Sequence, residues 1–410
     1  METIDLITEQ MTYGGAALAR HEGRVIFVPF ALPGERVRVR IKSQKKRWAE
    51  AELVAVLEAS PDRIEPRCPH FGPHQCGGCQ WQHASYEAQL RYKTAIVREQ
   101  LQRIGKIEDP PVQLCLGMTE PWYYRNNVQL RSTGEGPGFV RVDNKGVYPI
   151  DVCFIMNGAI YPLFQAVAGK PMPGVKRLIL RGSERTGERL VVVEGKSEEA
   201  LPFPADVTVV QGKQPPNRAS PKATIHERVG EQTWQITVNS FFQVNTAQAE
   251  TLLKVVRTLV GALQGGETLL DAYAGVGLFG LSLANEVRHT YLVESYPPAV
   301  EDARHHVAGR EDVTIIQDTA EDVLPRWEQY GPRPDLVLLD PPRAGCEDEV
   351  LRALGFLEVP TIIYVSCDPA TQARDLRILL DLGYALDIVQ PVDMFPQTYH
   401  IESVARLHKQ

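Results

Sequence analysis

Cys367 closes the apolar run Thr361-Ile-Ile-Tyr-Val-Ser366 and is followed at once by Asp368-Pro369. A thiol in that position stands at a strand end, outside the sheet interior, where it could act as a nucleophile. The plain alternative is a buried core cysteine. A second strand-like run, Leu336-Val-Leu-Leu339, ends in Asp340-Pro-Pro-Arg343. Functional groups of an open α/β sheet gather beyond the carboxyl ends of its strands, so Cys367 and Asp340 are expected to face one crevice. A third run ends at Asp271 and turns through Gly275, Gly277 and Gly280 into a helix-like segment, and Glu294 closes the next strand 19 residues after Gly275. Strand, glycine turn, helix, strand, acid is the layout of a nucleotide pocket in which the acid takes ribose hydroxyls.

The glycines suit a nicotinamide dinucleotide or S-adenosylmethionine equally. Asp340-Pro-Pro behind them favours S-adenosylmethionine, because methyl-transferring enzymes of this fold hold the substrate base at that strand end. An amino-group methyltransferase usually carries an aromatic after Asp-Pro-Pro, and Arg343 stands there instead. A separate cluster of chemistry lies upstream. Cys68, Cys76 and Cys79 form a C-x7-C-x2-C run with Gly77 and Gly78 between the close pair, residues that let a tight loop wrap a metal. Spacing alone makes zinc the default ion. A fourth ligand must come from elsewhere; Cys153 is the best candidate, with Cys115 and Cys346 the other unassigned thiols.

Three units are needed to position these groups. The chain has 410 residues, 43% hydrophobic and 23% charged, which is enough for separate cores. No apolar run of bilayer length occurs and the N-terminus has no secretory pattern, so the expectation is a cytoplasmic protein without a membrane partner. In a reducing compartment, seven cysteines, three of them packed close together, read as metal-binding or catalytic rather than as a disulfide framework. The net charge of -7 argues against a uniformly basic nucleic-acid binder. A local patch is nevertheless present: Arg36, Arg38, Arg40 and Lys42 alternate with Val37, Val39 and Ile41, giving a strand with one basic face, and Lys45, Lys46 and Arg47 follow beside Trp48. It reads either as a phosphate-contacting surface or as a charge-guarded edge strand. The short apolar runs around it, broken by Gly and Pro, predict a small β-barrel over residues 1–60. Residues 61–220 read as a mixed α+β unit carrying the cysteine loop, and residues 221–410 as an α/β Rossmann-like unit.

The barrel stretch resembles a TRAM domain, an RNA-binding barrel attached to RNA-modifying enzymes. Across nearly the whole chain, SFFQVN (240–245), DAYAGVGLFGL (271–281), DPPRAG (340–345), SCDPAT (366–371) and DMFPQTYHIES (393–403) resemble the successive signatures of the RNA uracil-C5 methyltransferase family. That resemblance implies methylation of uracil C5 to 5-methyluridine, with Cys367 as the nucleophile that adds to C6, Glu402 as the base that removes the C5 proton and Asp340 as the group that holds the uracil. It implies S-adenosylmethionine contacts from Gln243, Tyr273, Glu294 and Asp340, with Asp271 and the glycine turn at Gly275 shaping the pocket and Asp318 near the adenine. The barrel and cysteine loop match the subset with a [4Fe-4S] cluster, held here by Cys68, Cys76, Cys79 and Cys153. That subset modifies 23S ribosomal RNA, while other members act on the tRNA T-loop. The C-x7-C spacing is two residues longer than that subset's C-x5-C. A monomer is expected. A rival of another class, a non-catalytic iron-sulfur RNA-binding protein, would have no need to keep Cys367 and Glu402.

Overall fold

A computed structural model describes residues 3–197, 200–211 and 223–410; the unit boundary expected at 220/221 lies outside the described residues. Five strands, β1 (Thr3–Met11), β2 (Ala17–His21), β3 (Arg24–Val28), β4 (Arg36–Gln44) and β5 (Trp48–Glu58), close into a barrel of order β1-β2-β3-β5-β4. Val37 and Val39 point into it and are fully buried, while Arg36 and Arg38 are exposed, as the alternation requires. β4 pairs with β1 on one side and β5 on the other, so it is not an edge. Nor is its basic face unopposed. Asp5 of β1 takes Arg38 through both oxygens at 2.8 and 3.1 Å, Glu58 of β5 takes Arg36 at 2.9 Å, and Glu52 stands 3.7 and 3.8 Å from Arg40 and Lys42. Counting acids along one strand missed those that the barrel ladder supplies from its neighbours.

The chain continues through the cysteine loop into α1 (Tyr86–Arg103), then β6 (Asn127–Thr133), β7 (Gly136–Val140), β8 (Val147–Pro149), α2 (Tyr161–Val167), β9 (Val175–Gly182), β10 (Arg189–Gly195) and β11 (Thr208–Gln211). These six strands form a sheet of order β11-β10-β9-β6-β7-β8. The hairpin β12 (Thr224–Val229) and β13 (Gln232–Thr237) leads to α3 (Thr246–Val260), capped by the Asn245 side chain.

The last unit runs β14 (Thr268–Ala272), α4 (Leu278–Leu283), β15 (His289–Val293), α5 (Pro297–His306), β16 (Val313–Ile316), α6 (Ala320–Val323), β17 (Leu336–Leu339), α7 (Asp348–Phe356), β18 (Thr361–Ser366), α8 (Pro369–Asp381), β19 (Tyr384–Val392) and β20 (Glu402–Lys409). Its seven-stranded sheet has the order β16-β15-β14-β17-β18-β20-β19, parallel except for β20, which runs against both neighbours. The inner strands are near-continuous apolar runs because helices cover both faces. Strand order reverses between β14 and β17, and ligands of such sheets bind at that switch point. The architecture is the expected α/β methyltransferase fold behind a small barrel.

α1 belongs to the first half of the chain but packs on this sheet. One apolar cluster runs from barrel residues Leu6 and Val37 through Trp81 and Ile96 to Val337 and Tyr364. Inside the interface Lys93 Nζ meets Asp393 Oδ1 at 2.5 Å with both side chains fully buried, and Gln89 exchanges two 3.0 Å hydrogen bonds with Gln397. No helix among the described residues is long and apolar enough to cross a membrane.

Candidate active site

Sheet register brings the predicted groups to one edge. β17 pairs with β18 through Leu339 and Tyr364, so Asp340 and Cys367 both emerge past the carboxyl ends of adjacent parallel strands. β20 enters from the opposite direction, with Ser403 opposite Ser366, so Glu402 at its start arrives at the same end. On the other side Asp271 lies in the last residues of β14 and Tyr273 just past it, then come Glu294 past β15 and Asp318 past β16. Asp318, Glu294, Asp271 with Tyr273, Asp340 and Cys367 therefore follow one another along the ends of five neighbouring parallel strands.

Cys367 is half-buried at the turn from β18 into α8. Asp368 caps that helix, its Oδ1 accepting from the N–H groups of Ala370 and Thr371 at 3.0 and 3.1 Å, and Pro369 supplies the first helical residue. The helix N-terminus favours a thiolate, but burial pushes the thiol up to about 12, helped by the charges of Glu402 and Asp340 and opposed by Arg343. Glu402 is buried and held well above the usual carboxylate range, first by burial and then by Asp340, again with Arg343 opposing. Burial raises Asp340 to about 7. Two neighbouring carboxyl groups that both resist ionisation keep a proton between them.

The loop after Asp340 is held from behind. Gly345 has φ +78°, and a Cβ there would lie 2.5 Å from Asp375 Oδ2. That same oxygen accepts from the Cys346 N–H and the Tyr364 hydroxyl. Arg343, whose place after Asp-Pro-Pro counts in the sequence against an amino-group methyltransferase, donates to His400 Nδ1 at 3.2 Å. Burial and Arg343 bring His400 down to about 4, so it is neutral. Both residues line a cleft of about 600 Å³ with Arg125, Phe241 and Phe395. The signal for His400 was its place two residues before Glu402.

On the cofactor side, Asp271 is fully buried and its Oδ2 accepts from the Gly280 N–H at 2.7 Å, pinning the glycine turn from inside. Burial raises its carboxyl to about 8 although that hydrogen bond pulls the other way, and its Oδ1 has no hydrogen-bond partner among the described residues. Only glycine fits at 280, since a Cβ would stand 2.8 Å from Oδ2. Gly275 has φ +57° with open space before its α-carbon. The carboxylate of Glu294 accepts from Gly275 N and Tyr296 N, each at 2.7 Å. Tyr273 holds φ +66°, uncommon for a bulky residue and a mark of a site that over-determines its backbone. Its hydroxyl donates to Glu321. Gln243 is buried apart from this row, its carbonyl accepting from the Asn126 side chain at 3.1 Å.

Cys68, Cys76, Cys79 and Cys153 line one small cavity of about 20 Å³ with Phe71, Phe139 and Ile150. Cys115 lies instead beside Asp393, and Cys346 beside Asp375. Among the described residues no group of three or more His, Cys, Asp or Glu is disposed to hold a metal ion, so the four thiols show neither the zinc nor the cluster expected of them. Gly78 and Phe139 line both this cavity and the 600 Å³ cleft, so one wall separates them.

Comparison with known proteins agrees with this layout. A family model described as tRNA (Uracil-5-)-methyltransferase matches residues 224–410, and one described as TRAM domain matches residues 2–54. An uncharacterized RNA methyltransferase of Halalkalibacterium halodurans is 36% identical over 99% of this chain and 97% of its own length. One from Clostridium acetobutylicum is 33% identical over 96% and 94%. The crystal structure of Pyrococcus abyssi tRNA (uracil-54, C5)-methyltransferase with S-adenosyl-L-homocysteine aligns with TM-score 0.74 and 26% identity, covering 98% of this chain and 100% of that one. With a relative 36% identical along nearly its whole length and these two family models on its two ends, the chain belongs to the RNA uracil-5-methyltransferase family.

Proposed function

We propose that this protein methylates C5 of a uridine in RNA through a covalent adduct at Cys367, with Glu402 as base and S-adenosylmethionine as donor. The observation that carries the reading is the convergence of Cys367, Glu402 and Asp340 at one sheet edge beside a glycine turn with open space before Gly275. S-adenosylmethionine supplies an electrophilic methyl group; Glu294, Tyr273, Gln243, Asp318 and the turn over Asp271 are the residues that would hold it. Uracil C5 is a weak nucleophile. Addition of the Cys367 thiolate to C6 converts the ring into an enolate whose C5 carries the electron pair. After C5 is methylated, Glu402 takes the remaining C5 proton, the electrons return to form the C5–C6 double bond, and the thiolate leaves. Asp340, protonated near neutral pH, has a hydrogen to donate to the uracil edge.

The four-thiol cavity supports a [4Fe-4S] cluster held by Cys68, Cys76, Cys79 and Cys153. Four cysteine thiolates are the ligand set of such a cluster, and Gly78 leaves no side chain against Cys76, a Cβ there lying 3.4 Å from its sulfur. Anaerobic protein should contain iron and acid-labile sulfide in near-equal amounts; zinc without sulfide would end this part. The cysteine loop together with the barrel favours 23S ribosomal RNA as substrate, in the cytoplasm. A tRNA T-loop uridine is the second reading, favoured by the full-length alignment with the Pyrococcus abyssi enzyme. Mapping 5-methyluridine in ribosomal and transfer RNA from a deletion strain decides between them, and unchanged 5-methyluridine in both would overturn the function.

A further inference from the structure

The barrel reaches into the proposed reaction site. In the turn between β1 and β2, the Tyr13 hydroxyl donates to Asp368 Oδ2, the oxygen of that side chain not engaged in capping α8. The turn is seated firmly. Gly15 holds φ +92° against the Tyr399 ring, where a Cβ would come within 2.7 Å, and its carbonyl accepts from the Trp81 indole at 3.0 Å. Thr12 and Ala16 close the turn with a 2.9 Å backbone bond. Tyr13 thus stands where Cys367 and Arg343 both act on its hydroxyl electrostatically.

We propose that Tyr13 is a positioning residue for methyl transfer: it fixes and neutralises in part the Asp368 carboxylate, so that the neighbouring Cys367 can form its thiolate, and makes the barrel a component of the active site. The proposal rests on Cys367 being the nucleophile. Four charged groups act on that thiol, and a neutral one lies beside them. Asp368 adjoins it on its own turn, Glu402 comes from β20, Asp340 and Arg343 come from the loop after β17, and neutral His400 lies on the loop before β20. A carboxylate that accepts a phenolic hydrogen bond shares its charge with the donor and repels a nearby thiolate less. Without the hydroxyl, Asp368 opposes the thiolate more strongly.

The test uses the full chain and two readouts. In the absence of RNA, the alkylation rate of Cys367 by iodoacetamide is followed by peptide mass spectrometry from pH 7 to 9.5. Tyr13→Phe should displace the log-rate line downward by about threefold, half a pKa unit. Asp368→Asn, which keeps an oxygen for the helix cap, should displace it upward, and Tyr13→Phe added to Asp368→Asn should have no further effect. A purely structural Tyr13 would instead loosen the turn, and its loss would expose Cys367 and speed alkylation. In the Glu402→Gln background, Tyr13→Phe should slow covalent attachment to RNA from the deletion strain by about the same threefold, because the same thiolate adds to C6. Unchanged or faster alkylation, or unchanged attachment, overturns the proposal. A Cys367→Ala protein that still attaches to RNA overturns the nucleophile assignment instead, so the two failures are distinguishable.

Discussion

Asp340 and Glu402 are acids in a place that disfavours charge, and that has a measurable consequence. The folded carboxyl of Asp340 titrates near 7, above its ordinary value of 3.8, so folding favours its protonated form. Its stabilising contribution is complete below about pH 4 and is lost as pH rises through 7. Asp340→Asn, neutral at every pH, should therefore raise Tm over wild type by about 2 °C or more at pH 8, with a smaller gain at pH 5, while abolishing methyl transfer. A gain that does not shrink toward pH 5, measured by calorimetry, contradicts the assignment. At this scale the sequence was informative wherever a residue ends a strand. Cys367, Asp340, Asp271 and Glu294 could be placed because an apolar run followed by a turn announces a strand end. Arg343 and His400 were not legible, because their meeting depends on two loops 57 positions apart in sequence coming together at 3.2 Å.

Elements reach the site through braces that local pattern does not reveal. α1 shows a helical pattern in sequence, yet its buried Lys93 has a meaning only once Asp393, 300 residues away, is opposite it. That pair and the Gln89–Gln397 exchange hold the segment that leads to Glu402, and the N–H groups of Gln80 and Trp81 add two bonds to the Gln397 carbonyl at 2.9 and 3.0 Å. The cysteine loop is thus hydrogen-bonded to the loop that leads to Glu402. Lys93→Met leaves Asp393 charged and unpaired in the core, which should cost about 3 kcal/mol in urea unfolding. Adding Asp393→Asn should recover much of that. A loss below about 1 kcal/mol would mean that the pair contributes little to the brace.

At the scale of the whole molecule, the barrel and the cysteine loop meet the loop before β20 at a cleft of about 340 Å³ lined by Gly15, Phe30, Gly77 and His400, and Gly77 and His400 also line the 600 Å³ cleft. The fold class followed from glycine and strand order, but the charge of the barrel face did not, since Asp5, Glu52 and Glu58 come from other strands. RNA phosphates must compete with those acids for Arg36, Arg38 and Arg40. Replacing these three with Gln should therefore lower the salt slope of RNA binding less than replacing Lys45, Lys46 and Arg47, of which Lys45 lies over the Trp48 ring at 4.9 Å with no acid partner among the described residues. Equal losses in filter binding would restore the strand as an open phosphate surface. The central claim is that three strand ends assemble a covalent catalyst, and trapping tests it most directly. Glu402→Gln protein mixed with RNA from a deletion strain and S-adenosylmethionine, then denatured and run on a gel, should show a slow band of protein joined to RNA. Elimination lacks its base in that variant, while attack and methylation do not. Cys367→Ala and the double variant should show no band. A folded Glu402→Gln protein without the band, or a Cys367→Ala protein with it, would contradict the mechanism.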